Sequence, residues 1–179
     1  MPESPIFKQK IYVNDVGTEF RVDCKVDVIS AIEKHIRVLK PSGAEASWAS
    51  TLLGAVGSVT VNFGGTGYAV DDILTVVQVG ASGCRVKVTS VNSGVVTGLQ
   101  VIDSGITYEP ATGLSTTGGS GSGCLVNIFS LASATILKYV TMTGDLSEAG
   151  IYTLQASIRL PNWVGLGESA YFEVFDRFM

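Results

Sequence analysis

At 179 residues, 46% hydrophobic and 16% charged, the chain has room for one large or two small domains and is too apolar for a disordered composition. Its 12 Lys and Arg against 16 Asp and Glu leave a net charge of −4, which argues against the clustered cationic surface that nucleic acid demands. No run approaches the roughly 18 uninterrupted apolar residues of a spanning helix, so no membrane association is expected.

The hydrophobic residues fall in short Val, Ile and Leu stretches separated by Gly, Ser and Thr, the distribution of an all-β protein. The start, Met1-Pro2-Glu3-Ser4-Pro5, lacks a basic segment followed by an apolar one, so no secretory signal is read there. From Phe20 to Val28 apolar and polar residues alternate at every step, which predicts one strand with Phe20, Val22, Cys24, Val26 and Val28 on its inner face. A second alternating run covers Lys34 to Lys40, and Pro41-Ser42-Gly43 supplies a turn. Trp48 lies on the next predicted strand, as a core residue.

Residues 56–132 change character. They carry only six charged side chains, Asp71, Asp72, Arg85, Lys87, Asp103 and Glu109, and they contain a repeat. Val61, Gly65, Tyr68, Leu74, Ser82, Gly83, Cys84, Val86 and Ser90 recur, without a gap, as Val101, Gly105, Tyr108, Leu114, Ser122, Gly123, Cys124, Val126 and Ser130. Each copy has a Gly-x-x-Tyr turn and closes on a strand-like Ser-Gly-Cys-x-Val run. Two such units, each too small to bury a face alone, are expected to stack into one β module. The run Thr117 to Gly123 reads as a flexible tip or a tight irregular turn.

Strand patterning resumes at Ile136 to Val140. The segment Gly144 to Leu154 then has the layout of a tyrosine corner: an acidic turn, a glycine, and Tyr152 two residues before the core position Leu154. Leu160 to Trp163 and Gly165-Leu166-Gly167 are read as a hairpin connection, followed by a last strand over residues 169–175. The fold class is therefore all-β: an immunoglobulin-like antiparallel β-sandwich, residues 1–55 and 133–179, with residues 56–132 inserted as a duplicated glycine-rich β module.

Little catalytic chemistry is legible. Gly64-Gly65-Thr66-Gly67 has no following Gly-Lys-Ser/Thr to make a phosphate loop. Asp71 and Asp72 are read as a solvated turn in preference to a cation site. His35 is the only histidine and has no nucleophile elbow to serve. Cys24, Cys84 and Cys124 are read as packed thiols, with a Cys84–Cys124 bridge left open. No catalytic residue, cofactor or metal is expected. Tyr68, Tyr108 and Trp163 are the candidate interface residues, and the same aromatics would be the platform of a glycan-binding module.

Three segments carry a resemblance: Val13-Asn14-Asp15-Val16-Gly17-Thr18-Glu19-Phe20, Val38-Leu39-Lys40-Pro41-Ser42-Gly43, and Gly144-Asp145-Leu146 to Gly150-Ile151-Tyr152. Together they resemble small immunoglobulin-like structural proteins of tailed bacteriophages, and are particularly similar to the N-terminal domain of baseplate upper proteins. The insert is similar to glycine-rich β repeats of phage tail fibres. Baseplate upper proteins usually continue into a long second region, whereas this sequence stops at Arg177-Phe178-Met179. The resemblance implies a non-enzymatic virion component, made in the host cytoplasm, with other virion proteins as partners and several copies around a symmetric ring. Neck, collar, tail, baseplate and capsid surface all remain open as its place; the alternatives are host-glycan attachment and capsid decoration.

Overall fold

The structure, a computed structural model, describes residues 10–177, so the Met1–Pro5 start and the terminal Phe178-Met179 lie outside the described residues. It is all-β, an immunoglobulin-like sandwich and an inserted β module, with no helix among the described residues. The chain divides into two compact units: residues up to 22, Ile32–Ser50 and from Leu137 onward form one; Asp23–Ala31 and Thr51–Ile136 form the other.

The first unit is built on a five-stranded sheet. Its strands are β1 (Ile11–Tyr12), β3 (Glu33–Leu39), β4 (Glu45–Ala49), β11 (Gly150–Leu160) and β12 (Trp163–Phe175), in the order β1-β12-β11-β3-β4. All pairs are antiparallel except the two-residue parallel contact of β1 with β12. A second layer is formed by β2 (Glu19–Asp23) beside the last residues, 137–140, of the long strand β10 (Ser122–Val140). Aromatic rings fill the space between layers. Phe20 of β2 lies 4.5 Å from Phe172 and 5.5 Å from Trp48, and Trp48 stacks on Tyr139 of β10 at 4.7 Å. Trp48 and Leu154 are buried in this core.

The corner before β11 is locked from two sides. The Tyr152 ring is fully buried, and its hydroxyl accepts the Glu148 N–H at 3.1 Å, four residues upstream. Tyr139 donates to Asp145 at 2.8 Å, and burial, then that carboxylate, pushes its hydroxyl up to about 12. The Lys40–Gly43 turn packs on the same corner. Lys40 Nζ reaches Ser147 Oγ and the Gly144 carbonyl at 2.9 and 3.3 Å, while the Glu148 carboxylate accepts from Ser42 N–H and Oγ at 2.9 and 3.0 Å. The two turn motifs quoted above thus form one joint.

The second unit contains β5 (Thr51–Thr66), β6 (Ile73–Val76), β7 (Ser82–Asn92), β8 (Val95–Ile106), β9 (Ala111–Thr117) and residues 122–136 of β10. The strand order is β5-β10-β9-β6-β7-β8. The repeats do not stack as separate units; they interleave. The first strand of copy one (β5) pairs with the last strand of copy two (β10), and the first of copy two (β8) pairs with the last of copy one (β7). At the centre β6 and β9 pair antiparallel with Val76 opposite Thr116, residues that are themselves 40 apart. A pseudo-two-fold axis therefore passes through that pair. It also relates two backbone bonds, Tyr68 N–H to the Gly94 carbonyl at 3.0 Å and Tyr108 N–H to the Gly54 carbonyl at 2.9 Å. The core consists largely of equivalent pairs: Val56 with Val96, Cys84 with Cys124, Val86 with Val126, Val88 with Ile128.

Three expectations are corrected. The strand over residues 20–28 ends at Asp23, because the Asp23 carboxylate accepts the Lys25 N–H at 2.9 Å and Lys25 turns to φ +61°. Val26 is consequently exposed and Val28 buried, and Cys24 to Ala31 belong to the second unit. The expected boundaries at 55/56 and 132/133 fall inside the unbroken strands β5 and β10. Gly165-Leu166-Gly167 is not a turn: β12 starts at Trp163, paired with Leu160; Gly165 pairs with Ile158, and the register shift beside Gln155–Ser157 takes up Gly167.

Replacing Tyr152 by Phe should lower unfolding free energy by about 1 kcal/mol, or more because Glu148 N–H loses its acceptor. Urea denaturation of the purified chain reads this as a lower midpoint at unchanged slope.

Candidate functional site

The residues that sequence singled out in the module form two reciprocal locks. In one, the Tyr108 ring is fully buried, its hydroxyl accepts the Cys84 N–H at 3.3 Å and donates to the Val76 carbonyl at 2.8 Å. In the other, the Tyr68 hydroxyl accepts the Cys124 N–H at 3.3 Å. Each tyrosine therefore fastens the Ser-Gly-Cys strand of the opposite copy. Burial raises the Tyr108 hydroxyl above its ordinary value. Tyr68 and Tyr108 are core staples, and their expected interface role is withdrawn: neither ring reaches solvent as a platform.

The repeated spacing Gly-x-x-Tyr has a steric reason. A Cβ on Gly65 would sit 2.3 Å from the Ser122 carbonyl and 2.8 Å from the Tyr68 ring; one on Gly105 would sit 2.5 Å from Cys84 N and 2.6 Å from the Tyr108 ring. Both glycines also hold φ near +60°. Only glycine lets the tyrosine fold back over its own strand onto the neighbouring one.

The cysteines under these locks are free. Burial first, and the Asp103 charge second, pushes the Cys84 thiol up to about 11, and burial likewise raises Cys124. These are packed, protonated thiols rather than nucleophiles.

Residues 118–121, between β9 and β10, form a tight turn clamped by Asp72. That carboxylate accepts from Ala69 N–H at 2.9 Å, Ser120 N–H at 3.1 Å and Ser120 Oγ at 2.7 Å. The Ala69 and Ser120 bonds hold its acid well below the ordinary 3.8. Asp71 instead pairs with Lys87 at 2.6 Å. The two aspartates thus serve different partners, and among the described residues no group of three or more His, Cys, Asp or Glu converges as a metal set.

In the sandwich, His35 faces Ala49 and Ser157 across its strand neighbours, and its Nδ1 is enclosed without a partner among the described residues. Trp163, by contrast, is 51% exposed at the start of β12, its ring laid so closely over Gly165 that a Cβ there would fall 2.0 Å from it. Of the three aromatic candidates it alone is a surface group. Sequence reasoning missed other exposed residues of the same strand, Val164 and Tyr171, each 70% exposed, and Leu166. Their signal was present in the strand Trp163–Phe175, which lacks a clean apolar-polar alternation. Only Val174 and Phe175 of β12 are paired to β1, so the remainder of this edge has no strand partner among the described residues.

Comparison of the chain with models of protein families, with curated proteins and with solved structures gave no match.

Gly65→Ala and Gly105→Ala should each destabilise the chain by more than the about 1–2 kcal/mol of left-handed backbone alone, since backbone must also move. Tyr108→Phe should cost about 1 kcal/mol more than Tyr68→Phe because it also orphans the Val76 carbonyl; urea melts of the four variants give the ranking. For Asp72, a folded acid constant below the unfolded one means its contribution is complete above about pH 4 and is lost as pH falls through the lowered value. Hydrogen exchange at the Ser120 amide should therefore accelerate on acidification, relative to the intrinsic rate, and Asp72→Asn should remove that dependence.

Proposed function

We propose that the chain is a non-enzymatic structural component of a tailed-phage virion, acting by protein–protein assembly at a neck, collar, tail or baseplate. One observation carries the reading. Strand β12 exposes Trp163, Val164, Leu166 and Tyr171 beside an edge that, among the described residues, pairs with β1 only at its end. Exposed aromatic and aliphatic side chains on an open strand edge are the features of a docking strand, where backbone bonds supply affinity and side chains supply register. The joint between the Lys40–Gly43 turn and the Gly144–Tyr152 corner supports the resemblance from which the phage assignment comes. The glycan-binding alternative retains Trp163 but loses Tyr68 and Tyr108, which are enclosed.

The test is co-purification. Antibody to the chain should detect it in virions banded on a density gradient from the phage that encodes it, and Tyr171→Asp with Leu166→Asp should abolish incorporation of a folded chain. Absence from purified particles overturns the assignment. Glycan-array binding that Trp163→Ala removes would favour the attachment reading in its place.

A further inference from the structure

The internal two-fold of the module provides a comparison between two surfaces built on the same backbone. On the β7–β8 side the outward positions are charged and paired: Arg85 with Asp103, and Lys87 with Asp71 at 2.6 Å. Forty residues on or back, the same positions hold Leu125 for Arg85, Phe63 for Asp103, Asn127 for Lys87 and Ala111 for Asp71. The strands β5 and β9, and residues 122–136 of β10, contain no charged residue at all. The duplication has thus been kept in the core, where Cys84 matches Cys124 and Val86 matches Val126, and erased on this one face.

The face is well defined. In β10 the buried residues Cys124, Val126 and Ile128 alternate with Leu125, Asn127 and Phe129, which therefore point away from the core together. Ser115 of β9 lies opposite Leu125 in register, and Asn62 of β5 donates to Asn127 Oδ1 at 2.9 Å. Phe63 is 60% exposed and Phe129 77% exposed. Two bare phenylalanines on an uncharged sheet face are an unusual surface for a monomer in water.

We infer that this face, centred on Phe63, Asn62, Leu125, Asn127 and Phe129, is a two-fold interface with a second copy of the same chain. Two arguments select that occupant. An isologous contact needs a patch complementary to itself, and every polar side chain here, Asn62, Asn127 and Ser115, both donates and accepts. Asn127 Oδ1 already accepts from Asn62 Nδ2 and from Gly113 N–H, which leaves the Asn62 oxygen and the Asn127 NH2 group to exchange bonds across an axis. The second argument is charge. With a net −4, two copies repel, and this face brings them together without burying or opposing any like charge. A strongly charged partner would have nothing here to match.

The inference deepens the assembly reading by naming a partner, but stands apart from it experimentally. Sedimentation of the purified full chain should give a mass twice 18.8 kDa at micromolar concentration. Phe63→Asp with Phe129→Asp should shift it to monomer, raising the dissociation constant at least 100-fold. Ser115→Lys, a substitution at an exposed position of the same face, should do so more weakly. Thr89→Asp, at the position equivalent to Phe129, should leave the mass unchanged. Circular dichroism and melting of each variant separate loss of association from loss of fold. A wild-type monomer throughout the micromolar range, or a dimer indifferent to the Phe63, Phe129 and Ser115 changes while Thr89→Asp or an edge change at Tyr171 breaks it, overturns the inference. Either result leaves virion incorporation untouched, and absence from virions leaves the dimer untouched.

Discussion

The close approach of backbone to backbone at Gly65 and Gly105 governs the module. It allows a tyrosine to bend over its own strand and hydrogen-bond the neighbouring one, where the partner cysteine N–H would otherwise lie buried and unpaired. The consequence is reciprocity: copy one closes copy two and copy two closes copy one. A single 40-residue copy would leave Tyr68 or Tyr108 without its strand and half the core facing water. Linking the copies in one chain turns association of two halves into loop closure, whose entropic cost grows only slowly with length.

The sandwich depends on a different device. Its interior is a layer of aromatic rings contributed by four strands, Phe20, Trp48, Tyr139 and Phe172, and its corner is fixed by side chains that reach backbone and carboxylate groups rather than by packing alone. Such bonds fix geometry at the joint where the Pro41 turn meets Gly150. An all-β domain fixed in this way holds β12 in place while Val164, Leu166 and Tyr171 stay exposed on it, which is the feature on which the assembly reading rests.

Much of this architecture is legible in the chain because it is written in spacing. A gapless 40-residue offset announces the duplication, and the corner is visible from Gly150 and Tyr152 with Leu154 as the next inward position. What escaped reading depended on direction rather than identity. Gly-x-x-Tyr in a polar, uncharged context looks the same whether the ring points to water or folds inward; the answer lies in the positive φ at Gly65 and Gly105, which the sequence does not display. Alternation carried the β2 prediction past Asp23 because an aspartate that caps a turn and one on a solvated strand face satisfy the same pattern. The unit boundaries were misread because β5 and β10 keep their strand pattern across them. The pair Gly54 and Gly94, also 40 apart, was a missed signal, since both accept a tyrosine N–H in equivalent bonds.

The antiparallel meeting of Val76 with Thr116 on the axis carries one more implication. A dimer of identical chains must show the same exterior on both sides, so any substitution that suits one side is imposed on the other. Tandem fusion lifts that restriction: each side is encoded separately and can drift toward its own task while the shared interior holds both in shape. The salt-bridged Arg85–Asp103 side and the uncharged Phe63–Phe129 side are what such freedom produces, one carrying paired charges and the other none.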